Sequence, residues 1–237
     1  GSINILFSDK TGTITCGRLK ATSFTDGGGR VYRMTEELSE KMRNILAASV
    51  VYNSSAYLSD GKILGGNATE KALLELVKGG MPNRLHIKKG REVLFSSERK
   101  YSITEVSGDI NGAFVKGAPE KILKRCRRFY DSGGSVAALE SVHGLSARID
   151  EMAQRCERVI ALAVADEFSN SEIPDNLILI GLVGIRDDLR PDVKGSVSEV
   201  KRAGIQVVMI TGDKKETAVA IAKEAGIVES SRDVVLT

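Results

Sequence analysis

Asp9 closes an apolar run, residues 3–8, and is followed by Lys10-Thr11-Gly12-Thr13-Ile14-Thr15. The length of that run and its β-branched start predict a buried strand. A carboxylate at the carboxyl end of such a strand stands where open α/β sheets place ligands. An aspartate there can attack phosphorus and form an aspartyl-phosphate. Thr11 and Thr13 offer hydroxyls, and Gly12 lets backbone N–H groups approach a phosphate closely. The same residues also read as a plain polar turn after a strand, and residue types alone leave both readings open.

Other constellations carry chemistry of a related kind. Thr211-Gly212-Asp213 ends a second apolar run, residues 205–210. A Thr hydroxyl and a glycine N–H can hold phosphate oxygens, and a nearby carboxylate can support a metal; by itself the triplet also fits a simple turn. In Lys116-Gly117-Ala118-Pro119-Glu120 the lysine offers positive charge to a triphosphate and a stem to pack against a base. The alternative is a capped helix start. Phe95, in Phe95-Ser96-Ser97-Glu98-Arg99-Lys100, is by residue type a core candidate. Asn67-Ala68-Thr69-Glu70 has the form of a capping box with Asn as cap. Gly184-Ile185-Arg186-Asp187-Asp188-Leu189-Arg190-Pro191 reads as a charged linker.

These residues need elements to hold them. Between Pro191 and Arg202, Val193, Val197 and Val200 recur at helical spacing, with Pro191 suited to an early helical position and Gly204 to the helix end. Residues 217–225 predict another helix, closed by Gly226. Strand, helix, strand, helix in this order predicts an open parallel sheet with flanking helices. The middle of the chain is patterned differently. Residues 19–25 and 31–34 flank the Asp26-Gly27-Gly28-Gly29 turn as a hairpin. Leu38, Met42, Ile45, Leu46 and Val50 mark an amphipathic helix from Thr35. The capping box opens a helix that ends at Gly79-Gly80. Residues 92–96, 101–106 and 112–116 predict short strands, with Asn111-Gly112 in the turn between the last two. Pro119 opens a helix through Arg127, residues 147–157 predict another, and residues 158–166 a strand. The expected fold class is α/β: a parallel-sheet domain made of residues 1–18 and 187–237, with an antiparallel α+β domain, residues 19–186, inserted into it. An insert of about 165 residues lies within the ~50–250 usual for a domain.

The Asp9 segment, residues 8–15, resembles the phosphorylation motif of P-type cation-transporting ATPases, within the haloacid dehalogenase-like superfamily. The likeness runs the length of the chain in motif order, with the KGAPE segment similar to type II, calcium-pump-like members. It implies that Asp9, in its Asp9-Lys10-Thr11-Gly12-Thr13 motif, is phosphorylated by ATP. Asp9 and the Thr11 carbonyl would then help hold Mg²⁺, and the Thr11 and Thr13 hydroxyls would place the phosphate. Thr211, Gly212 and Asp213 match the second phosphate-site motif, with Lys214 where Asn is usual. The resemblance implies an adenosine pocket lined by Lys116 and Gly117, with Phe95 stacked on adenine, Lys100 completing it, Glu70 at the adenine amino group and Thr69 nearby. Asp187 and Arg190 match the acidic and basic positions of the hinge, and Arg190 counts with the nucleotide-binding set. Ser97 and Ala165 stand where relatives carry Arg, which implies weak nucleotide affinity, and Asn67 stands where calcium pumps carry Glu. Phosphatases of the superfamily place a general-acid Asp where this chain has Thr11, so an acyl phosphate here should hydrolyse slowly. The resemblance further implies partners in the same full-length protein: an actuator domain, and membrane helices that pass the transported cation. Its later metal-binding and phosphate-site segments are expected after Thr237, so the chain alone is expected not to turn over. It would sit on the cytosolic side of a membrane, and be soluble by itself. The alternatives are a soluble phosphatase with a cap domain and a non-catalytic nucleotide-binding module.

Composition narrows the field. The chain has 237 residues, 42% hydrophobic and 27% charged, which is ordinary globular content. A formal net charge of +3 is too small to argue for a nucleic-acid partner. Cys16, Cys126 and Cys156 show no CxxC spacing and are joined only by His86 and His143, which argues against a zinc site or disulfide framework and fits a reducing compartment. Gly1-Ser2 reads as a remnant of cloning. The longest apolar stretches, residues 159–165 and 177–185, fall short of a bilayer span of ~18–20 residues.

Overall fold

Local signals set most of the elements in a computed structural model that describes residues 3–80, 85–170, 172–212 and 215–229. In chain order they are β1 (Ile5–Asp9), β2 (Thr15–Thr25), β3 (Val31–Tyr32), α1 (Glu40–Tyr52), β4 (Ala56–Ser59), β5 (Lys62–Gly65), α2 (Ala68–Val77), β6 (Ile87–Val93), β7 (Tyr101–Gly108), β8 (Gly112–Gly117), α3 (Pro119–Ile122), β9 (Cys126–Tyr130), β10 (Val136–Ala138), α4 (His143–Gln154), β11 (Arg158–Ala165), β12 (Leu177–Leu189), α5 (Val193–Arg202), β13 (Gln206–Ile210) and α6 (Lys215–Glu224).

The antiparallel domain is built on one large sheet. Strands β6, β7, β8, β11 and β12 lie side by side, each antiparallel to the next. The free edge of β12 is then shared. Its first residues pair in parallel with β9, which carries β10, and its later ones pair antiparallel with β2, which carries β3. Side chains alternate across the strands, so Phe114 and Leu162 face α1 and α2, while Val115 and Ala163 face α3 and α4. Two apolar cores result, one on each face of the sheet. Strands β4 and β5 form a separate hairpin.

Strands β1 and β13 pair in parallel, from Ile5 opposite Gln206 to Asp9 opposite Ile210. A third core, including Ile14, Val193, Val197, Val207 and Ile221, joins this pair to α5 and α6. The expected open parallel sheet is therefore represented, among the described residues, by a single strand pair. The passage between the two regions runs through β2 and β12, paired from Leu182 opposite Thr25 to Leu189 opposite Thr15. The boundaries expected at residues 18/19 and 186/187 thus fall inside a continuous two-stranded ribbon.

Several sequence expectations need correction. The run at residues 3–8 was expected to be buried, yet Ile5, Leu6 and Phe7 are 47%, 42% and 62% exposed. An apolar run signals a strand but not which neighbours cover it, and β13 is its one strand partner among the described residues. The helix expected from Thr35 begins later. Thr35–Glu37 is a separate 3₁₀ turn, and Ser39 caps α1 by accepting the Met42 N–H at 3.2 Å. The helix opened by Pro119 is α-helical to Ile122 and 3₁₀ over Leu123–Arg125, ending short of Arg127 because Cys126–Tyr130 is recruited as β9 by pairing with β12 and β10. The helix expected at 147–157 is α4, shifted towards the N-terminus. The strand expected at 92–96 starts earlier and ends at Val93, which leaves Phe95 in the turn that follows.

Candidate functional site

A cleft of about 470 Å³ opens where the end of β8 meets the start of α2 and the turn before β7. Ligand sites commonly fall in the range of roughly 300–1,000 Å³. Thr69, Glu70, Phe95, Lys100, Lys116 and Gly117 all line it, gathered from three separate stretches of sequence. The capping box places Glu70: its N–H donates to Asn67 Oδ1 at 3.0 Å, and its Oε2 accepts the Asn67 N–H at 3.2 Å. Phe95 is 55% exposed on this wall, an apolar ring presented to solvent rather than packed in a core. Lys100 holds the adjoining turn with a positive φ of 64°, its N–H bonded to Ser96 O at 2.7 Å.

Lys116 and Glu70 are an almost enclosed ion pair at the cleft floor, with side chains 9% and 13% exposed and Nζ to Oε1 at 3.0 Å. The ammonium also donates to Asn53 O at 2.6 Å. Burial pushes the Lys116 pKa down, and Glu70 only partly restores it. Burial would raise the Glu70 carboxyl, but the Lys116 charge and the N–H groups of Asn67 and Ser55 outweigh it and hold it below its ordinary value. Glu70 Oε1 accepts from Lys116 and Ser55 and Oε2 from Asn67, which leaves acceptor capacity on Oε2 for a ligand donor.

Four lining residues escaped the sequence reading. Leu19 enters from β2, and Arg158, Val159 and Ile160 from the start of β11. The strand at 158–166 was expected, and pairing it antiparallel to the Lys116 strand brings Ala161 opposite Gly117, so the residues just before Ala161 reach the cleft. Ala165, which stands where relatives carry Arg, lies at the other end of that strand. Ala165 is fully buried opposite Ala113, at the far end of β8, so a cleft cation is supplied by Arg158. Arg99, beside Ser97, donates to Leu94 O at 3.1 Å and is not among the lining residues.

Asp9 stands apart from the cleft, exposed at the end of β1. Its opposite number is Ile210, so the carboxylate lies next to the strand end that continues into Thr211 and Gly212. Asp213 lies outside the described residues. After Asp9 the backbone bulges through Lys10–Ile14, with Gly12 at φ 79°. No other atom lies within 4 Å of where a Gly12 Cβ would sit, so that conformation, not space, is what calls for glycine. Thr11 and Thr13 are exposed on the bulge and Lys10 is buried. Arg190 does not line the cleft. It lies on the bulge instead, its N–H donating to Ile14 O at 3.1 Å and its guanidinium to Gly12 O at 3.4 Å. Asp187 ties the ribbon to the bulge by accepting from Thr15 Oγ1 at 2.6 Å and the Arg18 N–H at 3.0 Å. The Asp9 carboxylate and the Thr11 carbonyl are hard oxygen donors of the type that suits Mg²⁺, which keeps several waters and substrate oxygens.

Comparison with known proteins identifies the family. The family model for "P-type ATPase, cytoplasmic domain N" matches residues 41–192. Calcium-transporting ATPase 1 of Bacillus cereus is 34% identical over 100% of this chain and 28% of its own length. Calcium-transporting ATPase 8, plasma membrane-type, of Arabidopsis thaliana is 34% identical over 99% of this chain and 24% of its own. Calcium-transporting ATPase PAT1 of Dictyostelium discoideum is 36% identical over 96% of this chain and 22% of its own. The chain thus spans 22–28% of the length of these relatives. Among the described residues no helix is long and apolar enough to cross a membrane.

Proposed function

This chain belongs to the P-type ATPase family, and on that premise we propose that it supplies the nucleotide-binding and phosphoryl-accepting parts of an ATP-driven calcium pump. Residues 19–186 bind the nucleotide; residues 1–18 and 187–237 contribute to a haloacid dehalogenase-like phosphorylation domain. The observation that supports this most is the meeting of Thr69, Glu70, Phe95, Lys100, Lys116 and Gly117 in one cleft.

In this reading the exposed Phe95 ring stacks on the adenine and the free acceptor capacity of Glu70 meets its amino group. Lys116, Lys100 and Arg158 offset nucleotide charge. Asp9 receives the γ-phosphoryl group. A carboxylate oxygen bonds to phosphorus as the bond to the bridging oxygen breaks, and ADP carries that oxygen away. Thr11, Thr13 and Thr211 with the Gly212 N–H hold the transferred oxygens, and Asp213 belongs to the same set by sequence. Mg²⁺, held by Asp9 and the Thr11 carbonyl, would supply charge neutralisation, because phosphoryl transfer depends mainly on positioning and electrostatics. With Thr11 in place of a carboxyl group, nothing at that position takes the proton from a water attacking the acyl phosphate, so the acyl phosphate persists. In the full-length protein, bending of the β2–β12 ribbon would carry nucleotide to Asp9, and membrane-spanning parts would move the cation.

Calorimetric titration of the chain with MgATP tests the cleft. The expected result is weak binding, of order 1 mM, reduced roughly tenfold or more in K116A and F95A. Equal affinity in all three proteins would overturn the assignment. Labelling of the full-length protein with γ-labelled ATP tests the acceptor: the label should be lost in D9N and retained in D187N.

A further inference from the structure

Lys116 is directed by a residue that does not line the cleft. Asn53 lies at the C-terminal end of α1 and is buried. Its side-chain amide donates to Phe114 O at 3.0 Å and Ser102 O at 3.4 Å. Its Oδ1 accepts from Ser102 Oγ at 2.9 Å and Thr104 Oγ1 at 3.2 Å. An asparagine side chain has two N–H donors and two acceptor lone pairs, and here all four are used. The partners lie on β7 and β8 at the step that carries Lys116, with Ser102 opposite Lys116 and Thr104 opposite Phe114. The Asn53 carbonyl, among the last of α1 and so at the negative end of the helix dipole, accepts the Lys116 ammonium at 2.6 Å.

We propose that Asn53 is a positioning residue for nucleotide binding: its amide locks the end of α1 to β7 and β8, so that its carbonyl, with Glu70, fixes the Lys116 ammonium at the cleft floor. The idea rests on the cleft binding nucleotide. Two of the three ammonium protons are taken by Asn53 and Glu70, and the third is left for a ligand. A lysine stem has several rotatable bonds, and an unfixed one would give up binding free energy to order itself.

A double-mutant cycle tests it, with MgATP affinity measured for wild type, N53A, K116A and N53A/K116A. N53A should weaken MgATP binding about tenfold alone and add almost nothing on top of K116A. Equal losses in both backgrounds would mean that Asn53 merely supports the fold, and would overturn the proposal. T104V removes one hydroxyl from Asn53 while keeping side-chain shape, and it carries the same cycle if N53A does not fold. The pH profile of binding gives a second readout. Glu70, Lys89 and Glu92 are charged groups around Lys116 and Asn53, and Lys100 and Arg158 line the same cleft. Loss of the fixed carbonyl should move the alkaline limit of MgATP binding to lower pH, and an unmoved limit contradicts the role. A wild-type chain that does not bind MgATP removes the functional reading itself; binding with additive losses removes only the role of Asn53.

Discussion

The cleft and the Asp9 corner differ in how much structure stands behind them. Lys116 and Glu70 rest on a large sheet with a core on each face, and the capping box, the ion pair and the Asn53 carbonyl hold their side chains. Asp9 ends a strand whose partner among the described residues is β13, and Ile5, Leu6 and Phe7 beside it are exposed. The cleft is therefore pre-organised by its own surroundings, while the proposed acceptor is held, among the described residues, by one strand pair and a bulge. The contrast fits a division of labour in which nucleotide binding is local and phosphoryl transfer requires further groups to converge.

The largest effect expected from that contrast is on stability. Phe114 is fully buried against α1, and F114A should cost about 3–5 kcal/mol through the cavity it leaves. Phe7 carries the same side chain on β1, and F7A should fall within about 0.5 kcal/mol, as exposed substitutions do. Urea unfolding of the two variants measures the difference. Similar midpoints would mean that β1 is covered in solution, and the comparison would fail.

The ion pair sharpens the comparison from the other side. Lys116 is held below its ordinary pKa because burial outweighs the help of Glu70. The unfolded chain then binds more protons between the folded and unfolded values, so this group costs stability at neutral pH and the cost is relieved as pH rises through the folded value. Glu70 is also held low, so its contribution is present above its unfolded value and lost as pH falls through the folded one. The variant K116M/E70Q keeps the lysine stem and the cap acceptor without burying a charge. It should be as stable as wild type or more so, by up to about 4 kcal/mol at pH 7, should lose the Glu70 part of the acid sensitivity, and should not bind MgATP. Destabilisation of the double variant would show that the pair is structural rather than functional.

The sequence made the cleft residues legible because their motifs are contiguous and each element start has its own signal. Asn67 and Glu70 are three apart in a capping box, and Pro119 follows the Lys116 strand directly. Arg158 and Asn53 were not legible, because each acts through strand register or a helix end that residue spacing does not reveal. Residues 126 and 127 read as the end of a helix because nothing in the local sequence stops it, and pairing with β12 recruits them into β9. The exposure of β1 was hidden for a related reason. Val, Ile, Leu and Phe announce a strand wherever it lies, and only the number of neighbours decides burial.

The smallest expected effect concerns the joint between the regions. Arg186, on β12, has a side chain 21% exposed and bonded to Asp188 Oδ1 at 2.8 Å and Glu224 Oε1 at 2.9 Å. It also donates to Arg155 O at 3.3 Å, so one guanidinium ties the end of α4 to the end of α6. Burial works against the charge, but Glu224 and Asp188 outweigh it and raise the pKa further, so the clasp keeps its cation across the working pH range. Both carboxylates are more than a third exposed, which limits such a pair to about 1 kcal/mol and makes it sensitive to salt. R186A should therefore lower the unfolding free energy by about 1 kcal/mol. It should also raise the radius of gyration measured by X-ray scattering, as added salt should in wild type, and leave MgATP affinity unchanged. Affinity falling in step with stability would mean that the cleft depends on how the two regions are docked, and the separation between a self-sufficient binding site and a loosely supported acceptor would not hold.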